Sequence, residues 1–241
     1  MGQPVPRARL VVPSLPEPGS ALRLEGAEAH HARARRLRPG ETVVLVDGSG
    51  REAEAVVERA GRGGIELRVA SVGPSASDRL GPIHLLVAAV RSERLSWIAE
   101  KATELGAARL TLVMSARTQV FRASGAVVTR LERIVRAAAK QCGRSDWPDI
   151  SGPIPFADAV RSVRGSRLVL DPGGEAFPSA LPSGPTALLI GPEGGWTEDE
   201  LGTAIAEGWA AVSLAAGKLR AETAAVAALT LARTALARFP H

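Results

Sequence analysis

From residue 83 onward the chain alternates between short apolar runs and segments with helical periodicity. The runs IHLLVAAV, RLTLVMS, SRLVL, TALLI and AAVSL are mostly apolar, as expected of strands that are buried on both faces of a parallel sheet. Between the first two runs, RLSWIAEKATELG spaces Leu95, Ile98, Ala102 and Leu105 along one helical face, and Gly106 supplies a C-terminal stop. This alternation predicts an α/β domain with a parallel sheet.

The first 70 or so residues follow another pattern, in which apolar and polar residues alternate along LRLEG, ETVVLVDGSGREAEAVVERA and GGIELRVASV. Asp47-Gly48 and Gly63-Gly64 are hairpin turn signals, so the pattern is typical of a small β-barrel or sandwich. The small, polar segment from Gly73 to Asp78 separates the two patterns and is typical of a linker. We therefore predict one domain over residues 1–73 and a second over residues 78–241.

Composition indicates a globular protein and argues against a membrane protein or a disulfide-linked one. Of 241 residues, 45% are hydrophobic and 23% charged, which is typical of a globular chain. No apolar stretch is long enough to span a membrane and the N-terminus lacks a signal-peptide pattern, so we expect a cytoplasmic protein with no membrane partner. The single cysteine, Cys142, excludes an internal disulfide and a cysteine-cluster metal site. The histidines lack metal-ligand spacing, and we expect no metal.

The net charge of +5 favours a polyanionic partner, although the charge is nearly all arginine and GC-rich coding would explain it equally well. Four arginines lie within the segment 33–38, which we expect to be a short helix or turn. Arg130, Arg133, Arg136 and Lys140 are spaced three or four apart and form one stripe on a predicted helix. Each group is either an ordinary solvated surface or a contact for a polyanion.

Three predicted strands end in glycine-rich or turn-rich segments: residues 171–174, 191–195 and 215–220. Ligands of open α/β sheets bind outside the carboxyl ends of the strands, where all three segments would emerge. Glycines let the backbone approach a ligand closely. Thr197 and Glu200 fit a capping box that starts the following helix. The segments therefore predict a shared pocket, although glycines at such turns also serve packing and capping alone.

Three familiar motifs are absent, which disfavours the enzyme classes that use them. The phosphate-binding G-x-x-x-x-G-K-[ST] motif, the dinucleotide G-x-G-x-x-G motif and the hydrolase G-x-S-x-G elbow do not occur where they would function. The polar candidates that remain are Glu193, Arg220, Glu222 and Thr223. Arg220 comes just before the last predicted helix, whose N-terminus favours a negative charge.

Several of these motifs together resemble a known family. GPEGG at 191–195 with LRAETA at 219–224 is similar to the paired motifs of SPOUT methyltransferases, above all the GPEGG and LRTETA of the ribosomal RNA small subunit methyltransferase E family. Lys101 to Gly106 resembles its K-x-x-E-L-G segment, and Gln141 to Arg144 its Q-C-G-R segment. Arg33 to Gly40 resembles an arginine-rich segment of its N-terminal domain. The likeness spans essentially the whole chain.

The resemblance implies a PUA-like RNA-binding β-barrel over residues 1–73 and a SPOUT α/β domain with a C-terminal trefoil knot over residues 78–241. It implies methylation of uracil N3 at position 1498 of 16S rRNA, with S-adenosyl-L-methionine as the methyl donor and S-adenosyl-L-homocysteine as the product. The implied partner is the assembled small ribosomal subunit, and the implied state is a homodimer. No metal is required.

The resemblance also assigns residues. We expect the cofactor at Leu170, Ile190, Gly191, Pro192, Glu193, Gly194, Gly195, Leu214, Ala215, Ala216, Leu219, Arg220 and Thr223. Arg220 is the expected catalytic residue, stabilising the uracil anion, while Glu193 either orients its loop, which we favour, or assists proton removal. We expect RNA at Arg33, Arg35, Arg36, Arg91, Arg117, Arg122, Arg130, Arg133, Arg136 and Arg144.

Two departures from the family pattern affect the substrate side. Gly217 stands where the family usually has an arginine, with Lys218 beside it, and Lys140 replaces a common glutamate. A non-catalytic RNA-binding or ribosome-assembly factor with the same fold stays open as an alternative. A redox enzyme that uses a dinucleotide is disfavoured because its fingerprint is absent.

Overall fold

The computed structural model describes residues 8–61, 64–75, 82–88, 90–118, 125–214 and 217–237. The chain divides into two compact units, the first formed by residues 1–77 with 139–146 and the second by residues 78–138 with 147–241. The elements are β1 (Arg9–Val11), β2 (Ala21–Leu24), α1 (Gly26–Ala34), β3 (Thr42–Val46), β4 (Arg51–Gly61), β5 (Gly64–Pro74), β6 (Ile83–Ala88), α2 (Ser92–Glu104), β7 (Ala107–Met114), α3 (Gly125–Cys142), β8 (Asp149–Pro155), α4 (Phe156–Arg161), β9 (Ser166–Ala176), β10 (Thr186–Ile190), α5 (Glu198–Ala206), β11 (Ala210–Ser213) and α6 (Ala221–Ala237). Part of the predicted linker lies outside the described residues.

The first unit contains a five-stranded sheet in the order β1-β3-β4-β5-β2. Strands β2 to β5 pair antiparallel, whereas β1 pairs with β3 in parallel. Alternate residues of β4 and β5, such as Ala53, Ala55, Ile65 and Leu67, are buried in one core. The alternating pattern in the sequence therefore predicted these strands correctly.

A buried polar cluster fixes the segment 139–146 within the first unit. Ser145 is fully buried, and its hydroxyl donates to Glu52. Arg9 Nη1 donates to Glu52 Oε1 at 3.0 Å and to Ser145 Oγ at 2.8 Å, and Ser75 Oγ donates to Glu52 at 2.7 Å. Burial alone would raise the pKa of Glu52, but the hydrogen bonds from Ser145, Ser75 and Arg9 outweigh it and lower the pKa.

The second unit contains a six-stranded sheet in the order β11-β9-β10-β6-β7-β8, with every pairing parallel. Leu85 and Val87 of β6 face a core that includes residues of α2, α3 and α6. Leu86 and Ala88 face a second core that includes residues of α4 and α5. Both faces are therefore covered, and the predicted α/β class with a parallel sheet is confirmed.

Sequence patterns missed β8 and α4. β8 contains Gly152, Pro153 and Pro155, which argue against a strand. The strand nevertheless forms because it lies at the edge of the sheet and pairs with β7 alone, where a missing N–H donor is tolerated.

A chain of hydrogen bonds crosses three neighbouring strands of the second unit. His84 Nε2 lies 2.8 Å from Thr111 Oγ1, which lies 2.7 Å from Ser151 Oγ. Burial, with a smaller contribution from the positive charge of Arg109, lowers the pKa of His84 from its ordinary 6.5 to about 4. His84 is therefore neutral near pH 7.

The trefoil knot that the family resemblance implies stays a prediction, since strand order and pairing alone do not define how a chain threads. Within the described ranges, none of the helices combines the length and the apolar character needed to cross a membrane.

Candidate functional site

A bulge in β9 forms one wall of the candidate site. β11 pairs Ala211 with Val169 and its next residue, Val212, with Glu175, so residues 170–174 leave the ladder. A Cβ on Gly174 would lie 2.5 Å from the backbone nitrogen of Val212, so this approach requires glycine. The prediction that the strand ends before Asp171 is wrong, because β9 continues through the bulge to Ala176.

The loop after β10 forms a second wall. All five residues of β10 are buried, and the chain then turns, with Gly195 N donating to Pro192 O at 2.9 Å. Gly195 has a φ of +70°, which favours glycine. Glu200 N donates to Thr197 Oγ1 at 3.2 Å and Thr197 N donates to Glu200 Oε2 at 3.0 Å. The predicted capping box is confirmed, and it ends the loop at the start of α5.

The third wall comes from the connection between β11 and α6. It contributes Leu214, Gly217, Lys218 and Leu219 before α6 begins at Ala221. Ala215 and Ala216, both predicted to contact the cofactor, lie outside the described residues.

Residues of the three walls border one cavity of about 340 Å³, within the size range of small-molecule sites. The predicted cofactor residues that line it are Leu170, Ile190, Gly191, Pro192, Glu193, Gly194, Gly195, Leu214 and Leu219. Four more lining residues belong to the segments predicted to share a pocket, although they were not assigned to the cofactor: Asp171, Pro172, Gly217 and Lys218. Arg117 also lines the cavity, although it was predicted to bind RNA. The lining residues that prediction missed are Trp196, Val212, Ser213, Ala221 and Ala224. Among the described residues, Arg220 and Thr223 do not contribute to this lining, and both are exposed beside it.

Trp196 lines the cavity and connects two of its walls. Its indole Nε1 donates to Leu170 O at 3.1 Å, which joins the loop after β10 to the bulge of β9. A Cβ on Gly191 would lie 3.1 Å from the indole ring, so Gly191 allows the ring to pack closely against the loop. An aromatic residue directly after a glycine run was the available sequence signal.

Arg117, predicted to bind RNA, contacts the loop after β10. Its Nη1 donates to Gly194 O at 2.6 Å and to Trp196 O at 3.1 Å. Next to it, Ala116 N donates to Glu200 Oε1 at 2.7 Å. The segment after β7 therefore holds both the loop and the first turn of α5.

Arg94 was not predicted as a site residue. It lies in the first turn of α2, where its Nη1 pairs with Glu193 on the cavity wall. Its Nε lies 3.7 Å from Glu222 Oε1 in the first turn of α6. One guanidinium thus connects α2 with two of the segments that border the cavity.

The RNA candidates of the first unit lie in two environments. Arg144 forms a two-point pair with Asp146, with Nε and Nη2 at 3.1 and 3.0 Å from the carboxylate oxygens. Lys140, of the predicted stripe, pairs with Glu28 Oε1 at 2.5 Å. The other candidates are exposed around the end of α1: Arg33, Arg35 and Arg36.

The remaining RNA candidates belong to the second unit. Arg130 Nη1 donates to Ser92 Oγ at 2.6 Å, and Arg136 Nη2 lies 3.8 Å from Glu132 Oε2. Those that are exposed are Arg91, Arg130, Arg133 and Arg136. Arg122 lies outside the described residues. RNA binding by any of these arginines stays a prediction.

Comparison with known families identifies both parts of the chain. The family model of the RNA methyltransferase domain matches residues 77–233, and that of the RNA methyltransferase PUA domain matches residues 24–70.

Comparison with individual proteins gives the same result. The chain is 38% identical to ribosomal RNA small subunit methyltransferase E of Mycobacterium bovis over 235 residues, covering 90% of this chain and 88% of the relative. The counterpart from Synechocystis is 32% identical over 87% of this chain and 72% of its own length.

Two solved structures extend the comparison. The ribosomal RNA small subunit methyltransferase E of Neisseria gonorrhoeae, bound to S-adenosylmethionine, is similar with a TM-score of 0.84 at 27% identity, covering 92% of this chain and 95% of that one. A methyltransferase of Legionella pneumophila in complex with the same cofactor has a TM-score of 0.82 at 30% identity, covering 94% and 97%.

Proposed function

Because this chain belongs to the ribosomal RNA small subunit methyltransferase E family, we propose that it methylates N3 of uracil 1498 in 16S rRNA, using S-adenosylmethionine. The observation that carries the proposal is the cavity that the bulge of β9, the loop after β10 and the start of α6 border together. We also propose that the protein acts as a homodimer on the small ribosomal subunit, in the cytoplasm.

The chemistry of the cavity fits the cofactor. Leu170, Ile190 and Leu219 offer apolar surface for an adenine ring, and the glycines of the loop after β10 expose backbone groups. The wall carries charges of both signs, from Asp171 and Glu193 and from Arg117 and Lys218, which suits a cofactor that has a positive sulfur and an amino-acid end. When bound, S-adenosylmethionine supplies a methyl group attached to a positively charged sulfur.

The protein's task is to make the uracil nucleophilic. N3 loses its proton to water and reacts as the imide anion, whose charge spreads over O2 and O4. Arg220 lies between the wall residues Leu219 and Ala221, just before the N-terminus of α6. In the proposed mechanism its guanidinium and the helix N-terminus stabilise that anion.

The contacts of Glu193 support an orienting role. Its carboxylate pairs with Arg94, which ties the loop after β10 to the first turn of α2. In the proposed mechanism Glu193 therefore orients the loop after β10.

The composition supports binding of RNA through phosphates and shape. The chain has no tyrosine, four phenylalanines and four tryptophans, 3% of its residues in all, so few aromatic rings are available for stacking on bases. Arginines supply fork-shaped donors that match phosphate oxygens. The exposed candidates for this contact are Arg33, Arg35, Arg36, Arg91, Arg130, Arg133 and Arg136.

A methyl-transfer assay tests the proposal. Small subunits that lack the modification are incubated with the protein and S-adenosylmethionine, and mass spectrometry of the 16S rRNA is expected to show one 3-methyluridine at position 1498. Arg220→Ala should slow the transfer by about 10²- to 10³-fold. Full transfer with weaker RNA binding would show that the role of Arg220 is wrong.

The same preparation separates the enzyme from a non-catalytic assembly factor. Calorimetry with S-adenosylmethionine is expected to show binding to the wild-type protein. Binding of 16S rRNA without any uptake of the cofactor would support the assembly factor instead.

A further inference from the structure

The positive charge of Arg94 lies close to two carboxylates, which belong to different segments around the cavity. Its guanidinium contacts Glu193, which lies on the cavity wall, and Glu222, which follows the wall residue Ala221. The side chains of Arg94, Glu222 and Glu193 are 27%, 18% and 47% exposed, so water screens the contact with Glu222 less than the contact with Glu193.

Glu222 faces Arg94 with one of its two carboxylate oxygens, Oε1. Its Oε2 is buried and has no hydrogen-bond partner within the described part of the chain. A buried carboxylate that loses its cation keeps the full cost of its desolvation. Glu193 and Glu222 share one guanidinium, so without Arg94 they would also repel each other.

We propose that Arg94 is a positioning residue that holds the loop after β10 and the first turn of α6 in the arrangement that receives the cofactor. This inference rests on the proposed function for the identity of the ligand, although the effect on the loop itself does not require any ligand. Arg94 acts through Glu193 and Glu222 and needs no contact with the cofactor.

Hydrogen exchange of the protein without ligand tests the effect on the loop. In Arg94→Ala, the amides of residues 191–196 should exchange about 10-fold faster or more, since local opening costs less without the ion pairs. Arg161→Ala is the matched control, because it removes another Arg–Glu pair of the second unit, Arg161 with Glu207, away from the cavity. Unchanged exchange of residues 191–196 in Arg94→Ala would overturn the inference.

Calorimetry with S-adenosylmethionine tests the consequence for binding. Arg94→Ala should weaken binding by about 10- to 100-fold, since small displacements of positioning groups are costly. Arg94→Lys should bind with intermediate affinity, because an ammonium is a point charge without the fork that reaches two carboxylates. Adding Glu222→Gln to Arg94→Ala should recover part of the affinity by removing the repulsion, which loss of packing alone would not explain.

The outcomes separate the inference from the proposed function. Wild-type protein that fails to bind the cofactor, with faster loop exchange in Arg94→Ala, contradicts the proposed function and leaves the positioning role standing. Wild-type protein that binds, with Arg94→Ala within about twofold of it, contradicts the positioning role. A double variant that binds no better than Arg94→Ala also contradicts it. If Arg94→Ala does not fold, Arg94→Lys and the single variant Glu222→Gln are compared with wild type instead, by the same measurements of hydrogen exchange and cofactor affinity.

Discussion

The two carboxylate oxygens of Glu200 serve two different segments. Oε1 accepts a hydrogen bond from Ala116 N at 2.7 Å, and Oε2 accepts one from Thr197 N at 3.0 Å, while the residue is 8% exposed. Glu200→Ala leaves both donors without this partner, so the free energy of unfolding should fall by about 2–3 kcal/mol in a urea titration. Glu198→Ala, an exposed change in the same turn, should cost less than about 1 kcal/mol. Equal losses would show that the cap of α5 does not depend on Glu200.

His84 makes stability depend on pH. Its pKa is about 4 in the folded chain against 6.5 ordinarily, so its contribution to stability is complete above pH 6.5 and is lost as pH falls towards 4. Between pH 6.5 and 5 the loss is about 2 kcal/mol, at about 1.4 kcal/mol per pH unit. In urea titrations, the free energy of unfolding of wild type should therefore fall more steeply than that of His84→Gln between pH 6.5 and 5. Above pH 6.5 the two proteins should show the same dependence on pH.

A control is needed because His31, in the first unit, also has a lowered pKa, caused by burial and then by Lys140. His31→Gln should keep the pH dependence that His84 contributes. If His84→Gln loses stability between pH 6.5 and 5 as steeply as wild type, His84 is not the group responsible.

At this scale the sequence could predict residues whose partners are near in the chain. The capping box of Thr197 and Glu200 is such a case, because it joins residues three apart. Arg94 and Arg117 were unpredictable as supports of the loop, because they meet it across 99 and 77 residues. Nothing in the local pattern around Arg94 distinguishes it from a solvated arginine on a helix.

Among the elements, the bulge of β9 depends on one of two adjacent glycines. A Cβ at position 174 would meet the backbone of β11 at 2.5 Å, whereas a Cβ at position 173 would meet the side chain of Asp171 at 3.2 Å. Gly174→Ala should therefore lower the free energy of unfolding by about 1–3 kcal/mol, as overpacking does, and weaken cofactor binding. Gly173→Ala is the control and should stay close to wild type by urea titration and calorimetry. A larger loss at 173 than at 174 would contradict this account of the bulge.

Element patterns succeeded where a strand is buried on both faces or a helix has one apolar face. β6, β10, α2 and α3 follow these rules and were predicted. β8 failed because prolines at a sheet edge resemble a loop, and the end of β9 failed because a bulge resembles a turn. Both failures come from position within the sheet, which the local sequence does not contain.

For the whole molecule, a net charge of +5 carried mainly by arginine predicts binding of RNA that weakens as salt rises. In fluorescence titrations with a 16S rRNA fragment, Arg133→Ala on α3 should reduce the slope of log affinity against log salt by about 1. Arg161→Ala removes a charge that is already paired with Glu207, so the slope should change less. An affinity that does not respond to salt would contradict contact through phosphates.

For the whole molecule, the resemblance to a family identified the two domains, which the alternation of strands and helices could not identify. The alternation after residue 83 predicted a parallel sheet, but the PUA and RNA methyltransferase domains were recognised from combined motifs such as GPEGG with LRAETA. The modified nucleotide, the homodimer and the knot stay predictions, because each depends on the RNA, on a second chain or on the threading of the chain.

In the bulge at residues 170–174, the residues that line the cavity are not the residues that pair with the neighbouring strand. Since the residues of the bulge stand outside the ladder, an extra residue inserted between Asp171 and Gly173 would leave the pairing of Val169 and Glu175 with their neighbours in place. The rim of the cavity can therefore change in length and chemistry while the sheet that carries it keeps its register. Such a segment lets an engineer alter ligand preference without redesigning the sheet.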